Sequence, residues 1–463
     1  MKFIILLVTL IICSAAHAKY EDLEKQINYS GLNKDNLGLY IKNLKTNNEY
    51  KINPDKRFNF ASVNKIITSL IGIEVLGPAF QFETNFSYTG SLKNNILHGD
   101  LIIKGGGDAA FSIEDFSYSL NQVYQFGIHE IYGDIIFDQS FFEQSQNEII
   151  DQEIYRAYNA KPLALSIEAN VSDLSFVKKH GDIKIINYPS VNDIEVRNNL
   201  KLTNNNCMEW KSDLGFKDFQ EAGKLVLYFD GSYSDKCATK NAQLLIQNRP
   251  LYFYLMFKDI WSGYGGLHYG TYHEVFDSSV ADSILVYKYK SKELSKLLVD
   301  LNKNSLNLMA RNIGLRALSE KNLSPPNETS INDYFKKYLL SIGIDSENLF
   351  LENSAGLSRS SYATVEIFTK ILEHITQSNY SYEIISSMPI LGIDGTMQKF
   401  GPTASYKGKG HFKTGSLKDV YAMAGIIKNK KGEDSLIVFV VNDKLTNRVP
   451  KVLDKILDFV YLN

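Results

Sequence analysis

The feature that most limits how this chain can fold is a change of rhythm: two stretches with helical hydrophobic spacing are held apart by about two hundred residues of short strand-like runs. From Ser62 to Leu76, the apolar residues Val63, Ile66, Ile67, Leu70, Ile71 and Ile73 recur near the helical period, and Gly77-Pro78 stops the pattern. The helical period returns from Leu294, through Leu297, Leu298, Leu301, Leu306, Met309 and Ile313. In between, the runs 82–88, 96–104, 131–137, 182–186, 225–229 and 252–257 read as strands separated by Gly and Asn, with one helix around Ile113–Phe126. This predicts a separate β-rich inserted region, 81–280, of two subdomains. Before it, 37–44 and Glu49–Ile52 read as two strands joined by the polar turn Lys45-Thr46-Asn47-Asn48. After it, the chain ends in a β-meander, 421–427 and 435–441 around Lys431-Gly432, and an amphipathic helix over 452–462.

Composition narrows the function classes. The 463 residues are 44% hydrophobic and carry 50 Lys+Arg against 52 Asp+Glu, a formal charge of −2. Such a balance fits neither a disordered chain nor a nucleic-acid binder. At the N-terminus, Lys2, an apolar run over 3–13 and Ala16-His17-Ala18 form the pattern of a cleavable signal peptide, 1–18, so the mature chain is expected to start at Lys19. Ile12 before Cys13 is a poor lipobox, and no lipoprotein is expected. A buried N-terminal element is the alternative. Cleavage leaves two cysteines, Cys207 and Cys237, which in an exported chain favour a disulfide, with two buried thiols as the alternative. The C-x2-C pairs of a zinc site are absent. No later apolar run is long enough to span a membrane, and the last helix mixes Asp454 and Asp458 with Lys451 and Lys455, which fits core packing better than a lipid surface.

Several catalytic signatures are missing: there is no G-x-S-x-G elbow, no H-E-x-x-H helix and no P-loop, and the seven histidines left after His17 are scattered. Gly105-Gly106-Gly107-Asp108 reads as a tight turn after a strand rather than a phosphate loop, because no helix with a basic residue follows directly. The informative element is Ser62-Val63-Asn64-Lys65 at a helix start. A serine hydroxyl needs a base, and a lysine three residues on lies on the same helix face; it serves as base once burial or a neighbouring cation lowers its pKa. A second copy, Ser175-Phe176-Val177-Lys178, falls in a strand-like segment where the two side chains face opposite ways. Ser305-Leu306-Asn307 is weaker alone, since Ser119-Leu120-Asn121, Ser190-Val191-Asn192 and Ser330-Ile331-Asn332 match it equally. Lys413-Thr414-Gly415, followed by Ser416, is the only K-T-G in the chain. On a strand it offers charge, hydroxyls and a glycine that admits another backbone.

In this order the three elements resemble the set shared by penicillin-binding proteins and class A β-lactamases. Lys104-Gly105-Gly106-Gly107-Asp108, Tyr132-Gly133-Asp134, Ala355-Gly356-Leu357-Ser358-Arg359, Gly392-Ile393-Asp394-Gly395-Thr396-Met397 and the long interval from Ser62 to Ser305 narrow the resemblance. The whole mature chain is similar to the D-alanyl-D-alanine carboxypeptidases of the penicillin-binding-protein 4 type, serine peptidase family S13. The resemblance implies an α+β fold: a discontinuous penicillin-binding-protein/β-lactamase-like transpeptidase domain, 19–80 plus 281–463, of antiparallel sheet with helices, and β-rich accessory domains between its pieces. It implies a periplasmic DD-peptidase that removes D-alanine from peptidoglycan stem peptides and cuts 4,3 cross-links, with β-lactams as covalent inhibitors and neither metal nor other cofactor.

Carried over by motif, the resemblance makes Ser62 the acylated nucleophile and Lys65 its base. Ser305 relays a proton to the leaving amine, and Asn307 binds a substrate amide. Lys413 helps keep Lys65 neutral, while Thr414 and Ser416 hold the terminal carboxylate beside Gly415. Backbone N–H groups of Ser62 and Ser416 form the oxyanion hole. Acidic residues of the insertion, Asp151 or Glu153, are expected to meet the free amine of a diaminopimelate side chain. Leu306, Arg311 and the Glu352-Asn353-Ser354-Ala355 stretch depart from the family pattern and bear on substrate preference. Rival readings are a β-lactamase-like hydrolase and a catalytically silent peptidoglycan-binding protein.

Overall fold

In the computed structural model, residues 20–463 are described except 22, 146–149, 152, 180, 278–281, 322–324 and 402. The expected signal peptide, 1–18, lies outside the described residues. The chain divides into two compact units. The first runs to Phe80 and takes in Glu293–Leu306 and Glu328–Asn463; the second holds Gln81–Lys292 and Asn307–Asn327.

The first unit is built on a five-stranded antiparallel sheet of β1 (Leu37–Asn43), β2 (Glu49–Ile52), β3 (Gly410–Leu417), β4 (Val420–Lys428) and β5 (Asp434–Asn442), in the order β3-β4-β5-β1-β2. Pairing of β1 with β5, Leu39 opposite Phe439 and Ile41 opposite Ile437, joins the N-terminal hairpin to the C-terminal meander. The helices of this unit include α1 (Lys65–Leu76), α2 (Leu294–Asn304), α3 (Val365–Gln377) and α4 (Val449–Leu462). Strand β5 buries seven consecutive residues because helices cover both of its faces. On one face, α4 places Val452, Leu453, Ile456, Leu457 and Val460, at helical three-and-four spacing, in a core with Leu39, Ile437 and Phe439. On the other, α3 starts at Thr364, whose hydroxyl accepts from the Ile367 N–H at 3.1 Å, and brings Val365 against Gly38. Asn302 of α2, fully buried, donates 2.9 Å hydrogen bonds to the hydroxyls of Ser69 on α1 and of Ser387. That fixes α1 and α2 side by side.

The second unit is β-rich. It contains a five-stranded sheet ending in Ile284–Lys290, a four-stranded sheet through Glu130–Ile131, and two further sheets whose longest strands are Val171–Lys179 and Lys224–Ser234. A single apolar cluster runs through it, from Phe86, Phe116 and Phe137 to Phe176, Phe229 and Trp210. The expected division at 280/281 is redrawn here. Ile284–Lys290 pairs with Glu83–Tyr88, so backbone hydrogen bonding keeps it in the second unit, as side-chain bonds keep Asn307–Asn327. Within that last stretch, the buried Asn312 amide donates to the carbonyls of Gly107 and Leu163 at 2.9 and 3.0 Å. The triple glycine is an irregular segment with a bend at Gly107 after Leu101–Lys104, where a Cβ on Gly105 would lie 2.1 Å from the Ala164 carbonyl oxygen.

Two elements differ from the sequence expectation. The run 252–257 is helical, inside Arg249–Gly263, with Pro250 in its first turn. Leu251, Tyr252, Phe253, Leu255, Met256, Phe257 and Trp261 are all buried, so the apolar residues form no single stripe, and a short window of them reads like a strand. The second is the helical stretch from Leu294, which is two helices, α2 and Asn307–Ser319, broken at Ser305.

In the second unit Cys207 and Cys237 form a disulfide with Cα atoms 5.2 Å apart. It ties the turn after Lys201–Thr203 to the end of Lys224–Ser234. Replacing both cysteines by serine is expected to lower stability by roughly 2–4 kcal/mol, the usual worth of closing such a loop, measured by denaturant unfolding with and without reductant.

Candidate active site

A strained turn places the first serine. Phe60 is fully buried, Ala61 adopts φ +47°, and Ala61–Asn64 forms a short 3-10 turn that runs into α1 at Lys65. A non-glycine residue in the left-handed region costs free energy, so the surroundings must hold it. Asn59 does so: its side-chain oxygen accepts from the Ala61 N–H at 2.8 Å, and its backbone exchanges hydrogen bonds of 2.8 and 3.0 Å with the Asn442 side chain at the end of β5. The sheet therefore fixes the turn that carries Ser62.

Lys65 is fully buried. Its Nζ donates to Ser62 Oγ at 2.9 Å and to the Ala355 carbonyl at 2.7 Å. Burial is the larger cause, and the charge of Lys413 the second, that brings its pKa well below the ordinary lysine value. Lys413, also fully buried on β3, donates to Ser305 Oγ at 3.0 Å and to the Thr414 carbonyl at 2.7 Å; burial brings its pKa down to about 7. Ser305 caps α2 at φ +59°, ψ 42°, which ends the helix and turns the hydroxyl to the lysine.

Strand β3 lies against the Ser62 turn because residue 415 has no side chain. A Cβ there would sit 2.3 Å from the Phe60 carbonyl oxygen and 2.9 Å from the Ser62 nitrogen. Gly356, at φ +74°, faces the turn from another side, its would-be Cβ 2.0 Å from the Ala61 carbonyl oxygen. Thr414 Oγ1 lies 2.6 Å from Thr396 Oγ1, and Ser416, at the end of β3, is exposed.

The first unit thus brings together Ser62, Lys65, Ser305, Lys413, Thr414 and Gly415. Asn307 opens the next helix and belongs to the second unit, where its amide donates to the Tyr158 carbonyl at 3.0 Å. Also in the second unit, Asp151 accepts from Tyr158 Oη at 2.5 Å and Asn159 Nδ2 at 2.9 Å; burial raises its pKa, but these hydrogen bonds outweigh it and the net shift is down. Glu153 pairs with Arg156 at 3.3 Å. Both carboxylates are engaged locally. Sequence reasoning gave no role to the Ala355 carbonyl, Gly356 or Thr396, although their stretches carried the family resemblance. Asn59 and Asn442 had no signal at all. Among the described residues, no group of three or more His, Cys, Asp and Glu could hold a metal ion, and no helix is long and apolar enough to cross a membrane.

A serine hydroxyl hydrogen-bonded to a buried amine of lowered pKa, with a second amine and hydroxyl beside it, has the chemistry that acyl transfer through a serine ester requires. Gly415→Ala is expected to cost about 1–3 kcal/mol in thermal unfolding and to abolish labelling of Ser62 by a serine-directed reagent, because the new methyl must push the turn away. Gly263→Ala, with nothing within 4 Å of its Cβ, is the neutral control.

The comparisons with known proteins agree along the chain. The family model described as "D-Ala-D-Ala carboxypeptidase 3 (S13) family" matches residues 19–460. The D-alanyl-D-alanine carboxypeptidase DacB of Haemophilus influenzae is 26% identical over 439 residues, 90% of this chain and 89% of that protein. A D-alanyl-D-alanine carboxypeptidase of an Actinomadura species is 21% identical over 420 residues, covering 84% of this chain and 74% of that protein. The crystal structure of penicillin binding protein 4 (dacB) from Haemophilus influenzae superposes with a TM-score of 0.79 at 22% identity, covering 96% of this chain and 99% of that one. At that identity it establishes a shared fold, mixed α and β as expected.

Proposed function

The chain belongs to the D-Ala-D-Ala carboxypeptidase 3 (S13) family, and from that premise we propose that it is a periplasmic serine DD-peptidase, sensitive to penicillin, that hydrolyses the D-Ala-D-Ala bond of peptidoglycan stem peptides and also 4,3 cross-links. The observation that carries the proposal is the 2.9 Å contact between Ser62 Oγ and the buried Lys65 amine.

In this reading Lys65, neutral, takes the Ser62 proton as the hydroxyl oxygen attacks the carbonyl of the penultimate D-alanine. The developing oxyanion is held by the backbone N–H groups of Ser62 and Ser416. The tetrahedral intermediate collapses as the C–N bond breaks, and the proton that Lys65 took from Ser62 passes through Ser305, which Lys413 holds at 3.0 Å, to the leaving D-alanine amine, so that Lys65 is neutral again. Lys65 then takes a proton from water, which cleaves the ester and returns the serine. Thr414 and Ser416 bind the terminal carboxylate. Asp151 and Glu153, already engaged by Tyr158, Asn159 and Arg156, are given no role. The relatives' names, the matched family and the order of the three motifs support the substrate class.

Labelled penicillin is expected to acylate the wild-type chain and not Ser62→Ala, and release of D-alanine from a stem peptide should fall more than about a thousand-fold in that variant. Full labelling of Ser62→Ala would sink the assignment. A chromogenic cephalosporin separates this reading from a β-lactamase: the acyl-enzyme is expected to persist rather than turn over. The pH profile tests the base. Because Lys65 acts in its neutral form, kcat/KM rises with pH through its deprotonation. Lys413→Met removes a neighbouring positive charge, raises the Lys65 pKa, and is expected to move that acidic limb to higher pH.

A further inference from the structure

We propose that Thr396 is a positioning residue that orients the Thr414 hydroxyl toward the substrate's terminal carboxylate, so that through it the site distinguishes a carboxylate-ended from an amide-ended peptide. This rests on the peptidase reading above.

The geometry starts from two hydroxyls. Thr414 is 8% exposed, Thr396 is exposed, and the Thr414 hydroxyl donates to Thr396 Oγ1 at 2.6 Å, a bond that reverses when Thr414 turns its proton to a carboxylate. A hydroxyl has one proton to give and two lone pairs to receive, whereas a carboxylate only accepts. Once Thr414 donates to a carboxylate its proton is committed. The contact with Thr396 then persists only with Thr396 as the donor. The bonds run head to tail, from Thr396 to Thr414 to the carboxylate, and each polarises the next. A primary amide lacks the charge that aligns them.

Thr396 is well placed for this because its loop bridges the two elements that carry the site. On one side Gly395, at φ +53°, packs so closely on the last turn of α2 that a Cβ would lie 2.7 Å from the Lys303 carbonyl oxygen. Asp394 forms an ion pair with Lys303 there and accepts from the Ile390 N–H at 2.7 Å. That anchor is two residues from Ser305. On the other side, the Leu391 N–H donates to the Gly410 carbonyl at 2.9 Å and the Gly408 N–H to the Leu391 carbonyl at 2.8 Å, which fastens the loop to the start of β3. Met397 is fully buried beneath. A side chain between two such anchors keeps its oxygen at Thr414 without help from substrate.

The test compares wild type, Thr396→Val and Thr396→Ser on a D-Ala-D-Ala peptide and on the same peptide with a carboxyl-terminal amide. Affinity is read as KM, or as an inhibition constant where the amide is not cleaved. Thr396→Val is expected to raise KM for the carboxylate peptide about ten-fold, the effect of losing one hydrogen bond of ordinary net strength, with kcat within about two-fold. Affinity for the amide peptide should change little, and Thr396→Ser should restore the wild-type values. An unchanged KM in an active Thr396→Val enzyme, an equal loss on both peptides, or failure of serine to rescue would each overturn the inference while leaving the peptidase reading intact. A wild-type chain that releases no D-alanine would overturn that reading, and this inference with it.

Discussion

Burying two lysine amines in one site works against their protonation, and the first unit is arranged around that constraint. Lys65 and Lys413 are each fully enclosed, and each has a lowered pKa. Placing an amine in a low-dielectric interior opposes its charge, and placing a second beside it opposes the charge further. The same desolvation that lowers the Lys65 pKa weighs against folding. For Lys413, the folded pKa of about 7 lies under the ordinary 10.5, so between those values the unfolded chain binds the extra proton and stability rises with pH; below about 7 that contribution is absent. The site is therefore at its least stable under the conditions in which a neutral Lys65 is hardest to obtain.

Holding such a site requires rigid surroundings, and the sheet supplies them. The Ser62 turn is pinned to β5 through the paired amides of Asn59 and Asn442, β3 closes on it at Gly415, and Gly356 closes from another side. The carbonyl of Ala355 accepts a hydrogen bond from the Lys65 amine, which has N–H to donate whether or not it is protonated. Ser305 reaches Lys413 because α2 stops there in a left-handed cap. None of these contacts is local in sequence. Each brings a different segment against the same few atoms, which is why the chain can interrupt the first unit with about two hundred residues and still assemble it.

Some of this was legible beforehand for definite reasons. The Ser62-to-Lys65 spacing predicts a shared helix face, and the contact is 2.9 Å. The strand at Lys413 and the close approach at Gly415 follow from a glycine in a strand segment. The triple glycine, expected as a tight turn, is an irregular segment with a bend at Gly107, and the turn follows at residues 109–110. Other features were not legible. The helix over Arg249–Gly263 is buried on several sides, so its apolar residues show no period. The kink at Ser305 lies in an unbroken hydrophobic rhythm, and only the backbone angle reveals it. Ile284–Lys290 was assigned to the wrong unit because its partner, Glu83–Tyr88, lies two hundred residues earlier.

Residue types and their order along the chain set which groups were available: one helix-start serine with a lysine a turn away, one K-T-G, the cysteines Cys207 and Cys237, and strand and helix segments in a fixed order. Side-chain type and short-range period are written in the chain, and so is the chemistry they permit. Tertiary structure alone decided that Lys65 is buried against Ser62 with a lowered pKa, that Ser305 rather than the other S-x-N serines meets Lys413, and that Thr396 sits at Thr414. Those outcomes depend on burial and on contacts between distant segments, and a lysine's pKa or a hydroxyl's partner is set by what surrounds it in space.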